Sequence, residues 1–512
     1  MEKEKFYITT PLYYVNAKLH LGHAYTTILA DVIARYQRQQ GKDVFFLTGT
    51  DEHGATNVRA AETAGIPIEK FVDQNAEAAR DLFNRLSISN DDFIRTSDQK
   101  KHWPGAQMLW KKLREAGMIY KGIYRGLYCV GHEAFITEKD LVDGKCHDHG
   151  KAPEAIEEEN YLFRLSAYRN EIESRIKNHK LRIIPESREH EVLRFLEEEG
   201  LKDVSFSRPS KDISWGIPVP GDASQTMYVW CDALTNYISA LGYGRDEAKM
   251  HYWPADLHTM SKDIMRFHAL IWPGMLLAAG LPPPRALLVH GYITSGGIKM
   301  SKTIGNVIDP YEMIDLFGSD AFRFLLTKQV NPLADGDITK EGLIHAYNGE
   351  LANGLGNLVS RTAAMIEQFF DGHIVSSIPT PPFVERFEKH LTFQDIHLEE
   401  QTPMIVLHDY ITPRYHRAME DYRLSDALEL LWSFYRMLDG YIQYYEPFKM
   451  VKADRSKAAG ILGELGRVLR ESAFLLAPFM PETAKRLEAI FQKEQEGIRV
   501  VREEKMPLFR RL

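Results

Sequence analysis

The chain has 512 residues, too many for one compact core, and its length points to about three domains. A hydrophobic content of 44% and a charged content of 26% are those of an ordinary soluble globular protein. The net charge of −8 decides nothing about nucleic acid, because an acidic protein can carry a local basic face. The three cysteines, Cys129, Cys146 and Cys231, are too few for a disulfide scaffold and fit a reducing compartment. The strand-like run Phe6–Thr10 starts almost at Met1, leaving no room for a signal or transit peptide. The most apolar stretch, Ala269–Leu281, is short and broken by Pro273, so no membrane span is expected. These features together predict a cytoplasmic protein with no membrane partner.

Residues 6–10 read as a buried strand, about Leu21–Gln40 as a helix stopped by Gly41, and Val44–Thr48 as a second strand. Strand, helix, strand at this spacing is a βαβ unit and predicts a parallel sheet. Helical periodicity runs from about Pro67 to Ala116 and stops at Gly117. Beyond Gly122 the texture changes to Tyr, Gly, His and charge with Cys/His pairs, as in a small inserted module. The βα texture returns near Ser214–Pro218, with strands predicted at Met227–Trp230 and Ala286–His290. From about Asp320 the pattern is almost wholly helical, with amphipathic repeats over Glu350–Phe369 and Leu424–Tyr445 and a break at Ile378–Pro382.

Two motifs carry chemistry. His20-Leu-Gly-His23 sits between a strand and a helix, where a helix N-terminus offers unpaired N–H groups and a positive dipole end to phosphate. Gly22 permits close backbone approach, and His20 and His23 carry ring N–H donors. Lys299-Met-Ser-Lys302-Thr follows Gly296-Gly297 and places two lysines three apart in a glycine-flanked loop. Such a cationic clamp neutralises charge developing on a transferring phosphate. The ordered pair resembles the signatures of class I aminoacyl-tRNA synthetases, whose pattern ends in Ser where this chain has Thr303. That resemblance implies an α/β Rossmann-type catalytic domain, ATP with Mg²⁺, activation of an amino acid, and transfer to the 3′ end of a tRNA.

Further stretches resemble the methionyl-tRNA synthetase family: Pro11–Asn16, Thr48–Gly54, Ser214–Val219, Tyr228–Ala233 with Tyr237, and Lys262–Ile264 through His268. The resemblance implies that Asp51 pairs with the substrate ammonium. It also implies that Leu12, Tyr14, Trp230, Ala233, Tyr237, Ile264 and His268 line a methionine pocket. Aromatic rings suit a polarizable thioether. Without the resemblance, Trp230 and Tyr237 read more readily as core aromatics than as pocket residues. Asp263 is expected at the ribose hydroxyls, although Ser261 stands where the family usually has Gly. Expected catalytic residues are His20, His23, Lys299 and Lys302.

Cys129-x-x-His132 and Cys146-x-x-His149 have the spacing of a tetrahedral Zn²⁺ site with two thiolates and two imidazoles, with His147 as a spare donor. The family knuckle usually has Cys where this chain has His132. Asn353, Asn357 and Arg361 fall four apart on one helix face and can read edges of splayed bases. The segment resembles the family's anticodon helix, and Phe448 stands where the family often has Trp to stack on a base. The expected organisation is a catalytic domain at 1–120 and 214–320 and an inserted connective domain at 121–213. A linker at 321–345 then leads to a helical anticodon-binding domain at 346–512. Partners are methionine, ATP and methionine tRNA, and a monomer is expected. The alternative readings are another class I synthetase, disfavoured by the short insert, or a related His-x-Gly-His nucleotidyltransferase. The helical half and the second lysine loop count against the latter.

Overall fold

The run Phe6–Thr9 is apolar enough to be buried on both faces, and it forms the strand β1 (Lys5–Thr9) inside a parallel sheet. The structure is a computed structural model. It describes all residues except 1–2, 130–133, 137–140, 148–149, 300–306, 376–377, 384–400, 496 and 503–506. The chain divides into two compact units, residues 1–84 with 88–290, and residues 85–87 with 291–512.

The first unit is built on a seven-stranded sheet. Along it run Arg182–Ile184, Ala286–His290, Leu257–Ser261, β1, β3 (Asp43–Asp51) and β2 (Tyr13–Tyr14), and β4 (Asp92–Arg95) also pairs with β3. Every pairing is parallel. From β1 the chain crosses through helix α1 (Leu21–Gln39) to β3 on one side, while Leu257–Ser261 pairs on the other. The strand order therefore reverses at β1, and in an open parallel sheet ligands bind outside the carboxyl ends of the strands at such a reversal.

Three departures from the sequence reading have physical causes. The periodicity over 67–116 is two helices, Ile68–Arg85 and Trp103–Glu115, separated by the short strand β4. A four-residue strand between amphipathic helices leaves little signal of its own. The predicted strand at Met227–Trp230 ends at Met227, and Val229–Leu234 is a buried helical turn that carries Trp230 and Ala233. A short continuous apolar run does not distinguish helix from strand. Arg182–Ile184, read as part of the insert, is an edge strand of the main sheet. The rest of that segment does form an antiparallel module, with Ile119–Cys129 against Glu154–Phe163.

In the second unit the helices Asn357–Phe370, Leu424–Tyr445 and Arg455–Leu476 supply the core. A small sheet of His373–Val375, Gly497–Val500 and Phe491–Glu494 joins them, an addition to the all-helical expectation. It packs closely because a Cβ on Gly463 would stand 2.8 Å from the Ile374 side chain. Buried Arg323 satisfies the carbonyls of Leu86, Pro478 and Phe479 at 3.2, 2.9 and 2.9 Å. Among the described residues no helix is long and apolar enough to cross a membrane.

Gly49, in β3 just before Asp51, touches both β4 and Leu12. A Cβ there would lie 2.0 Å from the Ile94 carbonyl oxygen and 2.9 Å from Leu12 Cδ2. Gly49→Ala is expected to part β3 from β4 and cost about 1–3 kcal/mol in urea unfolding. An unchanged midpoint would show that the sheet yields there without strain.

Candidate active site

The two histidines of the first signature are fixed by the start of α1. His20 is its N-cap in extended conformation, and its Nδ1 accepts the Gly22 N–H at 3.0 Å. His23 Nδ1 accepts the His20 N–H at 3.2 Å. This is a capping box made with imidazoles, and it satisfies N–H groups that a helix start otherwise leaves unpaired. Because both Nδ1 atoms accept, the proton of each neutral ring sits on Nε2. The rings stack at 3.8 Å between centroids, and His23 also lies 4.8 Å from the Tyr13 ring. Burial, and then the neighbouring His20, push the His23 pKa well below the usual imidazole value. The pair is thus a rigid, neutral donor set at a helix N-terminus, after the carboxyl end of β1.

The expected pocket residues converge at the same edge of the first unit. Asp51 ends β3 and is buried. Its carbonyl accepts from Asn57 Nδ2 at 3.1 Å. Trp230 stacks on Phe267 at 3.6 Å with 6° between planes, and its buried indole N–H has no hydrogen-bond partner among the described residues. Tyr237 and His268 are joined at 2.7 Å through Nε2, while His268 Nδ1 lies 3.0 Å from the Ile264 carbonyl. A carbonyl only accepts, so Nδ1 carries the proton and the Tyr237 hydroxyl donates to Nε2. Burial lowers the His268 pKa from 6.5 to about 4, keeping the ring neutral. Burial also raises the Tyr237 phenol, and the Asp51 carboxylate adds to the shift, which sets Asp51 and Tyr237 within electrostatic reach of each other. Leu12, Tyr14 and Ile264 are half-buried and pack on the core that contains Trp230 and Tyr237; Ala233 is buried beside them. This region is apolar and aromatic, with the Asp51 carboxylate at its edge.

Sequence reasoning passed over the support beneath this region. His258, on Leu257–Ser261, lies 4.2 Å under the Tyr237 ring. It accepts from Trp272 Nε1 at 3.3 Å and lies 2.7 Å from Thr9 Oγ1. Arg95 on β4 holds fully buried Glu52 through two bonds of 2.6 and 2.9 Å. His53 and His102 both bond Asp232. His53 and Asp232 fall inside the quoted motif stretches, but nothing in their spacing shows that they meet.

Asp263 is exposed and bonded by the Ser261 hydroxyl. In the second unit, Ile298–Lys299 closes a hairpin on Ile293–Ser295 through Gly296-Gly297, both at positive φ as a tight two-residue turn requires. Asp337 ties down that turn by accepting from Gly297 N–H at 2.8 Å and Thr294 Oγ1 at 2.7 Å. Lys302 lies outside the described residues, as do His132 and His149. Cys129 and Cys146 are both buried, the first at the end of Ile119–Cys129 and the second on the hairpin strand Lys145–Cys146. Among the described residues no group of three or more metal-ligating side chains is assembled. Asn353 and Asn357 are exposed, and Arg361 bonds Asp439 at 2.9 Å. A π-helical stretch, Tyr347–Gly356, precedes the helix Asn357–Phe370, so these three residues straddle a change of pitch. Phe448 is 38% exposed on the short helix Pro447–Met450.

Comparison with known proteins agrees with this geometry. The family described as tRNA synthetases class I (M) matches residues 6–151 and 136–363. The methionine--tRNA ligase of Caldanaerobacter subterraneus subsp. tengcongensis is 44% identical over 95% of this chain and 73% of its own. That of Brucella melitensis is 40% identical over 95% of this chain and 92% of its own. The structure of Mycobacterium tuberculosis methionyl-tRNA synthetase in complex with methionyl-adenylate superposes with a TM-score of 0.89 at 33% identity, covering 99% of both chains. Matching sequence, matching fold and a neutral histidine pair at the strand-order reversal together place this chain in the methionyl-tRNA synthetase family of class I aminoacyl-tRNA synthetases.

Proposed function

We propose a division of labour among these residues for the reaction this chain catalyses, the ligation of methionine to tRNA through methionyl-adenylate. The observation that carries it is the imidazole capping box, which holds both histidines neutral with their protons on Nε2. In the first step the methionine carboxylate attacks the α-phosphorus of ATP and pyrophosphate leaves. No protein nucleophile is needed, so catalysis is positioning plus stabilisation of charge. His20 and His23 donate to phosphate oxygens beside the N–H groups of α1, with Gly22 allowing close approach. Lys299 and Lys302 neutralise the charge that develops on the leaving group, and Mg²⁺ accompanies the ATP. Asp263 bonds the ribose hydroxyls.

Asp51 receives the methionine ammonium. Leu12, Tyr14, Trp230, Ala233, Tyr237, Ile264 and His268 enclose its side chain, where the aromatic rings meet the sulfur. In the second step a hydroxyl of the tRNA 3′ end attacks the activated carbonyl and releases AMP. Asn353, Asn357 and Arg361 read the anticodon, and Phe448 stacks on one of its bases. The insert takes a structural Zn²⁺ on Cys129, His132, Cys146 and His149. Two buried thiols with two imidazoles form a donor set that fits this ion, which would fix the local loops without entering the reaction. The chain works as a monomer in the cytoplasm.

Methionine-dependent ATP–pyrophosphate exchange, run beside leucine, isoleucine, valine and cysteine, tests the reading directly. Exchange is expected with methionine alone, and His23→Ala should reduce its kcat by about 10²-fold. Exchange with a different amino acid would keep the class and discard the pocket.

The state of His268 sets a pH expectation. Its pKa in the folded protein is lowered to about 4, so the ring is neutral at and above about pH 6. The KM for methionine should therefore stay flat from about pH 8 down to about pH 6. A KM that climbed tenfold per unit below about pH 7 would signal an imidazolium facing the substrate ammonium and refute the assignment.

Arg361→Ala should lower charging of methionine tRNA by tenfold or more and leave exchange within about twofold of wild type. The Arg361–Asp439 pair is about a third exposed on both sides, so its loss costs roughly 0–1 kcal/mol. Equal losses in both assays would make Arg361 a packing residue.

A further inference from the structure

Asp232 is a carboxylate that the reaction does not use, and it is 1% exposed. Its two oxygens are shared between two imidazoles. Oδ2 lies 2.6 Å from His53 Nδ1, and Oδ1 lies 2.6 Å from His102 Nε2. His53 and His102 are themselves buried. His102 Nδ1 meets Ser239 Oγ at 2.8 Å, and because a carboxylate accepts, Nε2 donates to Asp232. Burial pushes the Asp232 carboxyl up, but the charge and hydrogen bonds of His53 and His102 outweigh it and hold the group below its ordinary value.

The three residues belong to three separate segments. Asp232 lies on the Val229–Leu234 helix, one residue from Ala233 and two from Trp230. His53 follows β3 two residues after Asp51. His102 caps the helix Trp103–Glu115. The exit of β3 is itself held, because Asn57 Nδ2 donates to the carbonyls of Asp51 and His53 at 3.1 and 2.9 Å. A shift of Asp232 relative to His53 is therefore a shift of Trp230 and Ala233 relative to Asp51. We propose that Asp232, clamped between His53 and His102, is a positioning residue for methionine that sets the spacing between the ammonium site at Asp51 and the side-chain pocket at Trp230 and Ala233. The clamp touches no substrate and acts through the two elements it joins. A carboxylate suits this task because it accepts from both imidazoles at once with little freedom in either angle.

This inference rests on the pocket assigned above, and the test separates the two. The intact enzyme is assayed by ATP–pyrophosphate exchange with methionine and ATP varied independently. Asp51→Asn probes the pocket, Asp232→Asn and His102→Leu remove the clamp, and His102→Gln keeps an N–H near the Nε2 position. Asp232→Asn and His102→Leu are expected to raise the KM for methionine tenfold or more with the KM for ATP within twofold. His102→Gln should recover most of the loss, and the double variant Asp232→Asn/His102→Leu should be no worse than the poorer single one. If Asp51→Asn leaves the KM for methionine unchanged, the pocket reading fails and the clamp with it. If Asp51→Asn raises it while the folded clamp variants do not, or if both KM values rise together, the clamp alone is overturned. Failure of both Asp232→Asn and His102→Leu to fold would also overturn it, because the triad would then serve the fold and not the site.

Discussion

The reversal of strand order at β1 is the constraint on which the catalytic unit depends. β1 pairs in parallel with β3 on one side and with Leu257–Ser261 on the other, so the connections leaving its carboxyl end diverge and open a crevice. Three functional segments of this unit begin where these strands stop or just beyond, while Tyr228–Tyr237 follows Asp222–Met227, a strand of a separate antiparallel sheet. Pro11–His23 follows β1, Asp51–His53 completes β3, and Ser261–His268 completes the third strand. The strands need only be apolar and buried on both faces. The chemistry is confined to the few residues beyond them, which are free to be polar because the sheet no longer uses their side chains.

Those residues are held by local bonds of a kind that sequence displays unevenly. The His20–His23 arrangement was legible because all of its members lie within four residues at a helix start, where the capping rule fixes the geometry. The βαβ unit was legible for the same reason: its periods are local. The helical placement of Trp230 and Ala233 was not, because Val229–Leu234 is apolar all round and too short for either period to assert itself. The strand β4 was hidden between two longer helices, although Arg95 on it fixes Glu52 and so the exit of β3. The partnership of Asp232 with His53 and His102 spans separations of 179 and 130 residues, and only the closed sheet brings them together. The resemblance to a family supplied the expected pocket residues; the packing around them came only from the fold.

The insert and the helical unit follow a different logic. Ile119–Cys129 and Glu154–Phe163 alternate between half-buried and exposed positions over much of their length, so they rely on pairing more than on a core. Buried Cys129 ends this ladder, while buried Cys146 lies on a separate hairpin strand, Lys145–Cys146. In the helical unit, Arg323 closes three backbone carbonyls with one guanidinium, a use of charge that stabilises packing and asks nothing of a ligand.

Charge in the catalytic unit is rationed by burial. The imidazoles of His23, His258 and His268 are all pushed below their ordinary pKa by desolvation, so they act as fixed neutral donors and acceptors. On the proposed pocket assignment, a positively charged ring among them would repel the methionine ammonium, and neutrality removes that conflict. Asp51, Glu52 and Asp232 are all buried carboxylates of this region, and on the proposed reading one ammonium is to be bound. Asp232 has both oxygens engaged by imidazole N–H groups, which leaves its charge compensated. Glu52, between Asp51 and His53, is likewise held by Arg95. Asp51 also belongs to this bonded exit of β3, where the Thr96 hydroxyl donates to its Oδ1 at 3.5 Å. On the proposed assignment of the ammonium to Asp51, selectivity for an amino acid with an uncharged side chain depends on the residues that satisfy Asp232 and Glu52 as well as on Asp51 itself.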